Sequence, residues 1–222
     1  MDPILAVPAA LDSVQMDDES LRDATEMGVL YSCVLPGSGN IIGGLSAVIR
    51  HYAETTTDAL VARAGVKAAF GYNPMSTREW KGRRPTTRMG ALAILRSKLH
   101  DVQTKVASHR RAKGDKKLDV TFTAEELVLR DVLARKHTLR AHVHKIDDIA
   151  ALLRIADEFK LKVTVEHAGD VHSPGIFREL KKRGIPVIYG PTDSIPYKVE
   201  LKHDTWRNVR HLLASSVEFG LM

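Results

Sequence analysis

Residues 139–170, LRAHVHKIDDIAALLRIADEFKLKVTVEHAGD, decide the fold. The stretch ending in Ala141-His142-Val143-His144 reads as a strand. Ile146, Ile149, Leu152, Leu153, Ile155, Ala156 and Phe159 then recur at the spacing of one helix face. Lys162-Val163-Thr164-Val165-Glu166-His167 reads as a second strand. Two strands joined by a helical crossover run parallel, so their C-terminal ends share one edge of the sheet. His142 and His167 then end neighbouring strands at the edge where parallel α/β folds build their sites. Two imidazoles converging there point to a metal. Glu166 precedes His167, and strict alternation turns it to the opposite face.

Outward from this unit, strands are expected at 29–35, 45–49, 66–71, 185–190 and 218–222, making seven in all. Helices are expected at 17–27, 57–64 (closed by Gly65), 89–108, 123–136 (with Thr123 as N-cap), 173–183 and 205–214. No internal repeat and no low-complexity linker divides the chain, so residues 1–222 read as one domain. A βα barrel needs eight strands and about 250 residues. The expectation is an α/β fold: an incomplete (β/α)8 TIM-like barrel of parallel strands with outer helices.

Composition narrows the class. The 222 residues are 44% hydrophobic but only 5% aromatic, so aliphatic side chains must fill the core. Lys+Arg 33 against Asp+Glu 27 leaves a formal charge of +6. Much of that excess lies between Arg96 and Lys117, including Arg110, Arg111, Lys113, Lys116 and Lys117 around a Gly114-Asp115 turn. No aromatic residue interleaves with these charges, so a solvated helix end and turn is favoured over a nucleic-acid contact. Cys33 is the only cysteine, which excludes an intrachain disulfide and fits a reducing compartment. No apolar run is long enough to span a bilayer, and the N-terminus lacks a basic signal region. A soluble cytoplasmic protein is expected.

Three further features carry chemistry. The loop Pro36-Gly37-Ser38-Gly39-Asn40 with Gly43-Gly44 could bring backbone close to an anion, or be a tight turn without a ligand. Lys67 sits inside an apolar strand, where it is either paired or modified, or packs its stem and reaches water with its head. The loop at 72–87 is rich in Gly, Pro and Arg. With Arg88 just beyond it, Arg83 and Arg84 could clamp an anionic group or be solvated.

Taken in order, these motifs resemble one family. Pro36-Gly37-Ser38-Gly39-Asn40 with Gly43-Gly44 comes first, then Gly65-Val66-Lys67 with Gly71-Tyr72-Asn73-Pro74. Thr87-Arg88-Met89-Gly90 follows, then Ala141-His142-Val143-His144 with Asp147-Asp148-Ile149, and Glu166-His167 closes the series. The set resembles the metal-dependent amidohydrolase superfamily, in its imidazolonepropionase-like branch. The resemblance implies a (β/α)8 barrel whose first strand carries a His-x-His pair and whose eighth ends in a catalytic aspartate. Neither matches here, so the chain is expected to be the central part of such a barrel, truncated at both ends. By the same resemblance His142 and His167 bind a divalent metal, zinc by ligand type. Lys67 lies where many members carry a carboxylated lysine, and Asn40 and Arg88 fall in the motifs expected to contact substrate. His144 reads as a neighbour of the site and a structural histidine.

The implied activity is hydrolysis of a C–N bond in a small amide or cyclic amide. The missing ligands and aspartate imply an impaired enzyme, and the catalytic residue is left unassigned. The other reading is a non-catalytic remnant acting as a binding or oligomer-forming module. A small amide substrate and self-association through open sheet edges are expected; nucleic acid and membrane are not.

Overall fold

The computed structural model describes residues 2–75, 85–112, 120–192 and 198–222. Lys113, Gly114, Asp115, Lys116 and Lys117, and Arg83 and Arg84, lie outside the described residues. The strands are β1 (Tyr31–Val34), β2 (Ile42–Arg50), β3 (Leu60–Ala69), β4 (Leu139–Val143), β5 (Val163–His167), β6 (Val187–Tyr189) and β7 (Phe219–Leu221). They lie side by side in chain order in one seven-stranded sheet, curled as half of a barrel.

From β3 to β7 every pairing is parallel. β1–β2 and β2–β3 are antiparallel, which corrects the expectation of parallel strands throughout. The cause is connection length. A parallel crossover takes a dozen or more residues, and neither the link between β1 and β2 nor that between β2 and β3 is that long.

The helix expected at 57–64 is also corrected. Helix α2 is only Thr56–Ala59, after α1 (Glu19–Glu26), and the chain enters β3 at Leu60. Pairing with β2 takes over, with Ala62 opposite Val48 and Leu60 opposite Ile49. Gly65 does not close a helix. It sits in β3 at φ +108°, against the carbonyl of Thr138, where a Cβ would collide.

The remaining helices are α3 (Arg88–Ala112), α4 (Ala124–Leu133), α5 (Ile146–Phe159), α6 (Gly175–Lys182) and α7 (Val209–Ser215). Thr123 and Glu126 cap α4 reciprocally. Val66, Ala68, Leu139, Ala141, Val143, Val163 and Val165 bury one face of the sheet in a cluster with Leu95 and Leu99 of α3, Ile149, Leu152, Ile155 and Phe159 of α5, and Phe177 of α6. Strand alternation leaves Lys67, Arg140, His142 and Glu166 on the inner face. In register, Lys67 stands beside Arg140 and His142 beside Glu166. The basic stretch from Arg96 meets acids on neighbouring helices: Arg96–Glu158 at 2.7 Å, Lys98–Glu125 at 2.5 Å and Lys105–Glu126 at 2.7 Å. Among the described residues, no helix is long and apolar enough to cross a membrane.

Candidate metal centre

The ends of β4 and β5 bring three imidazoles together. Ring centroids are 4.5 Å apart for His142 and His167, 4.8 Å for His142 and His144, and 5.0 Å for His144 and His167. One nitrogen from each lies within 4.8 Å of the others. Alternation alone does not explain this. His167 is in register with Val143, which faces the core. It joins the inner face because the backbone turns left-handed at His167 (φ 75°) and Ala168 (φ 55°). His144 belongs to the cluster, not beside it as its place in the motif order implied.

Glu166 corrects a second expectation. It does not point away from the centre, because it shares the face of its register partner His142. Its carboxylate accepts from Arg140 Nε at 3.0 Å, Arg140 Nη2 at 3.3 Å and the Thr164 hydroxyl at 2.7 Å.

Burial keeps the imidazoles neutral. It pushes His142 well below the ordinary histidine range, helped by the positive fields of His167, Lys67 and Lys198. It takes His144 down to about 3. His167 is lowered by burial, against the opposing pull of its hydrogen bond to the Gly190 carbonyl. Neutral imidazole is the form that donates a lone pair to a metal.

The hydrogen bonds indicate which nitrogens are left to do so. His167 Nδ1 donates to the Gly190 carbonyl at 2.8 Å, leaving the Nε2 lone pair. His142 Nε2 lies 3.0 Å from the Asn73 amide nitrogen and 3.9 Å from Glu200 Oε1, while its Nδ1 has no hydrogen-bond partner among the described residues. His144 Nδ1 is buried without a partner as well. A buried polar atom left unpaired is costly. Three neutral imidazoles are a donor set that could hold a divalent metal ion.

Behind the histidines, the Gly71-Tyr72-Asn73-Pro74 turn closes the centre. Tyr72 N–H donates to Glu200 Oε2 at 2.7 Å. Gly71 must be glycine, since a Cβ would lie 2.6 Å from Glu200 Oε2 and 2.9 Å from Asp148 Oδ2. Asp148 pairs with Arg88 through Nε at 2.7 Å and Nη2 at 3.1 Å. Arg88 therefore sits one link behind the centre. Asn40 is buried and donates to the Asp2 carbonyl at 2.7 Å. Lys67 donates to the Pro36 carbonyl at 3.2 Å and Ser38 Oγ at 3.1 Å, so the glycine-rich loop receives its ammonium. Burial lowers Lys67 to about 8.

Glu200 escaped sequence reasoning, and Asn73 enters it only as a member of its motif, without a role. Glu200 lies in the short turn Val199–Leu201, a single acid between two apolar residues, with no period or motif to mark it.

No family model matches the chain, and no curated protein matches it. Among solved structures it is similar to the crystal structure of an amidohydrolase from Thermotoga maritima MSB8, with 31% identity and a TM-score of 0.92. The match covers all of this chain and 58% of that one, so the chain spans little more than half of that protein's length. A likeness along every residue, together with imidazoles gathered at the strand ends, supports the amidohydrolase superfamily for this chain.

Proposed function

We propose that the chain is part of a metal-dependent hydrolase of the imidazolonepropionase-like kind, acting on the C–N bond of a small amide or cyclic amide. The observation that carries this reading is the convergence of His142, His144 and His167, two of them with buried nitrogens that lack a hydrogen-bond partner among the described residues. A zinc ion bound there would activate water and polarise the substrate carbonyl. His142 and His167 are its principal donors. Lys67, already lowered to about 8, has an amine available for carboxylation near neutral pH. Arg88 keeps 48% of its side chain exposed beyond the Asp148 pair, so it can meet an anionic substrate group, and Asn40 of the glycine-rich loop is the second candidate for substrate contact.

Turnover by this chain is expected to be slow. Among the described residues, Asp148 is paired with Arg88, Glu166 with Arg140 and Asp170 with Lys145, while Glu200 Oε2 accepts the Tyr72 N–H and its Oε1 lies 3.8 Å from Lys198 Nζ. Glu200 Oε1 is the least committed of these oxygens, and the ammonium of Lys198 nearby makes it a weak acceptor for a water proton. β1 and β7 are the sheet edges, and exposed strand edges favour self-association.

The test is to strip the purified chain with chelator, reload it with zinc, quantify bound metal, and assay a panel of linear and cyclic amides. Zinc-dependent hydrolysis lost in His142→Ala and His167→Ala supports the reading. Absence of zinc binding, or hydrolysis indifferent to both substitutions, refutes it.

A further inference from the structure

Three residues beyond His167 and three beyond Glu200, the loop after β5 meets the loop before α7. Asp170, His172 and His203 each place a donor atom within 4.8 Å of the others. The His172 and His203 rings lie 4.3 Å apart at 47°. Asp170 is buried, while both histidines are exposed.

The cluster is already oriented. Asp170 Oδ1 accepts the His203 backbone N–H at 2.5 Å, and Oδ2 stands 3.4 Å from His203 Nδ1. His172 Nδ1 donates to the Asp170 carbonyl at 3.0 Å, which fixes the tautomer and leaves the lone pair on Nε2. Asn208 ties the two loops from below, donating to the Gly169 carbonyl at 3.0 Å and the His203 carbonyl at 2.7 Å. The scaffold therefore holds one carboxylate and two imidazoles together without help from an ion. Lys145 Nζ is a loose competitor, 3.4 Å from Asp170 Oδ2.

We propose that Asp170, His172 and His203 form a second divalent-metal site, separate from the centre of His142, His144 and His167, that takes an ion of the zinc, cobalt or nickel class. Two imidazoles and a carboxylate are the donor set such ions prefer over magnesium or calcium, which favour oxygen. The site lies at the rim and its histidines reach solvent, so the ion exchanges with the medium. When bound, it clasps the loop after β5 to the loop before α7. The second of these carries Glu200, so occupancy at the rim restrains the residue that stands behind His142.

The proposal is tested by metal binding alone. The full chain is stripped with chelator and titrated with cobalt by calorimetry, with bound metal counted after dialysis. Four proteins are compared: the wild type, His172→Ala/His203→Ala, His142→Ala/His167→Ala, and Lys145→Gln. Two equivalents are expected in the wild type, with each histidine double variant losing a different one. Lys145→Gln is expected to tighten the rim site several-fold by removing the competing cation. Circular dichroism confirms folding, and exposed His172 and His203 can be replaced without opening the core. In the His142→Ala/His167→Ala protein, cobalt is expected to slow hydrogen exchange at residues 198–204. A single equivalent lost only in His172→Ala/His203→Ala supports the rim site and removes the inner one. Metal content unchanged in that variant overturns the rim site, whatever happens at the inner centre.

Discussion

Glu200 Oε1 stands 3.9 Å from His142 Nε2 and has no hydrogen-bond partner among the described residues, although the other oxygen of the same carboxylate accepts Tyr72 N–H at 2.7 Å. A buried carboxylate behind a histidine sets the ring's orientation and basicity, and losing such a partner typically costs about 10- to 100-fold in metal affinity. Glu200→Gln keeps an acceptor for Tyr72 and removes the charge. Zinc affinity is expected to fall within that range while the thermal midpoint stays near the wild type. An unchanged dissociation constant would show that Glu200 acts only on the Tyr72 backbone.

The three imidazoles should not contribute equally. His142 is the penultimate residue of β4 and His167 the last of β5, both paired, whereas His144 lies one residue past the end of β4. Strand pairing fixes the first two donors more firmly than the third. His142→Ala and His167→Ala are expected to weaken zinc binding by at least about 100-fold, and His144→Ala by about tenfold, close to what a lost supporting group costs. Equal losses in a competition titration would place all three on the same footing.

The parallel half of this sheet is legible in residues 139–170 because helical spacing, strand length and histidine position all agree there. The site is only half legible for a geometric reason. His142 follows from alternation, but His167 reaches the same face through a left-handed backbone that no pattern of apolar residues announces. The same device reversed the reading of Glu166. Glu200 is brought to His142 by packing of its short turn against the end of β4, 58 residues back along the chain, and sequence spacing carries no trace of such a contact. The ribbon at 42–69 misled for another reason. Thr56-Thr57-Asp58-Ala59 starts a real helix, and pairing with β2 then overrides it from Leu60 onward.

Arg140 and Glu166 form the most deeply buried Arg–carboxylate pair among the described residues, with side chains 15% and 3% exposed. Removing one partner of a buried pair leaves a charge uncompensated, at a cost of roughly 3–5 kcal/mol. Arg140→Met alone is expected to lose stability on that scale, and Arg140→Met/Glu166→Met to recover most of it. Urea unfolding of the four proteins of the cycle gives the coupling. A double variant as unstable as the single one would mean that Glu166 is held by Thr164 rather than by the charge of Arg140.

Stability of the metal-free chain should fall in mild acid, and the sign follows from burial. His142, His144 and His167 all titrate below the ordinary histidine value of 6.5 in the folded state, His144 as low as about 3. Below pH 6.5 the unfolded chain therefore binds more protons at these positions than the folded one, and stability decreases as pH falls. Above 6.5 both states are neutral there and the effect vanishes. Well below 6.5, each imidazole that stays neutral in the folded state contributes a slope of about 1.4 kcal/mol per pH unit. Between pH 6.5 and 5 most carboxylates remain ionised, so this window isolates the histidines. Urea midpoints of chelator-treated protein across that window should fall steeply in the wild type and less steeply in His144→Gln, which carries no titrating ring. Saturating zinc, which binds the deprotonated rings of the folded chain, should raise the midpoint throughout this window, because those rings titrate below 6.5 in the folded state. Parallel slopes for the wild type and His144→Gln would show that the ring of His144 is protonated in the folded chain, and would remove it from the set of metal donors.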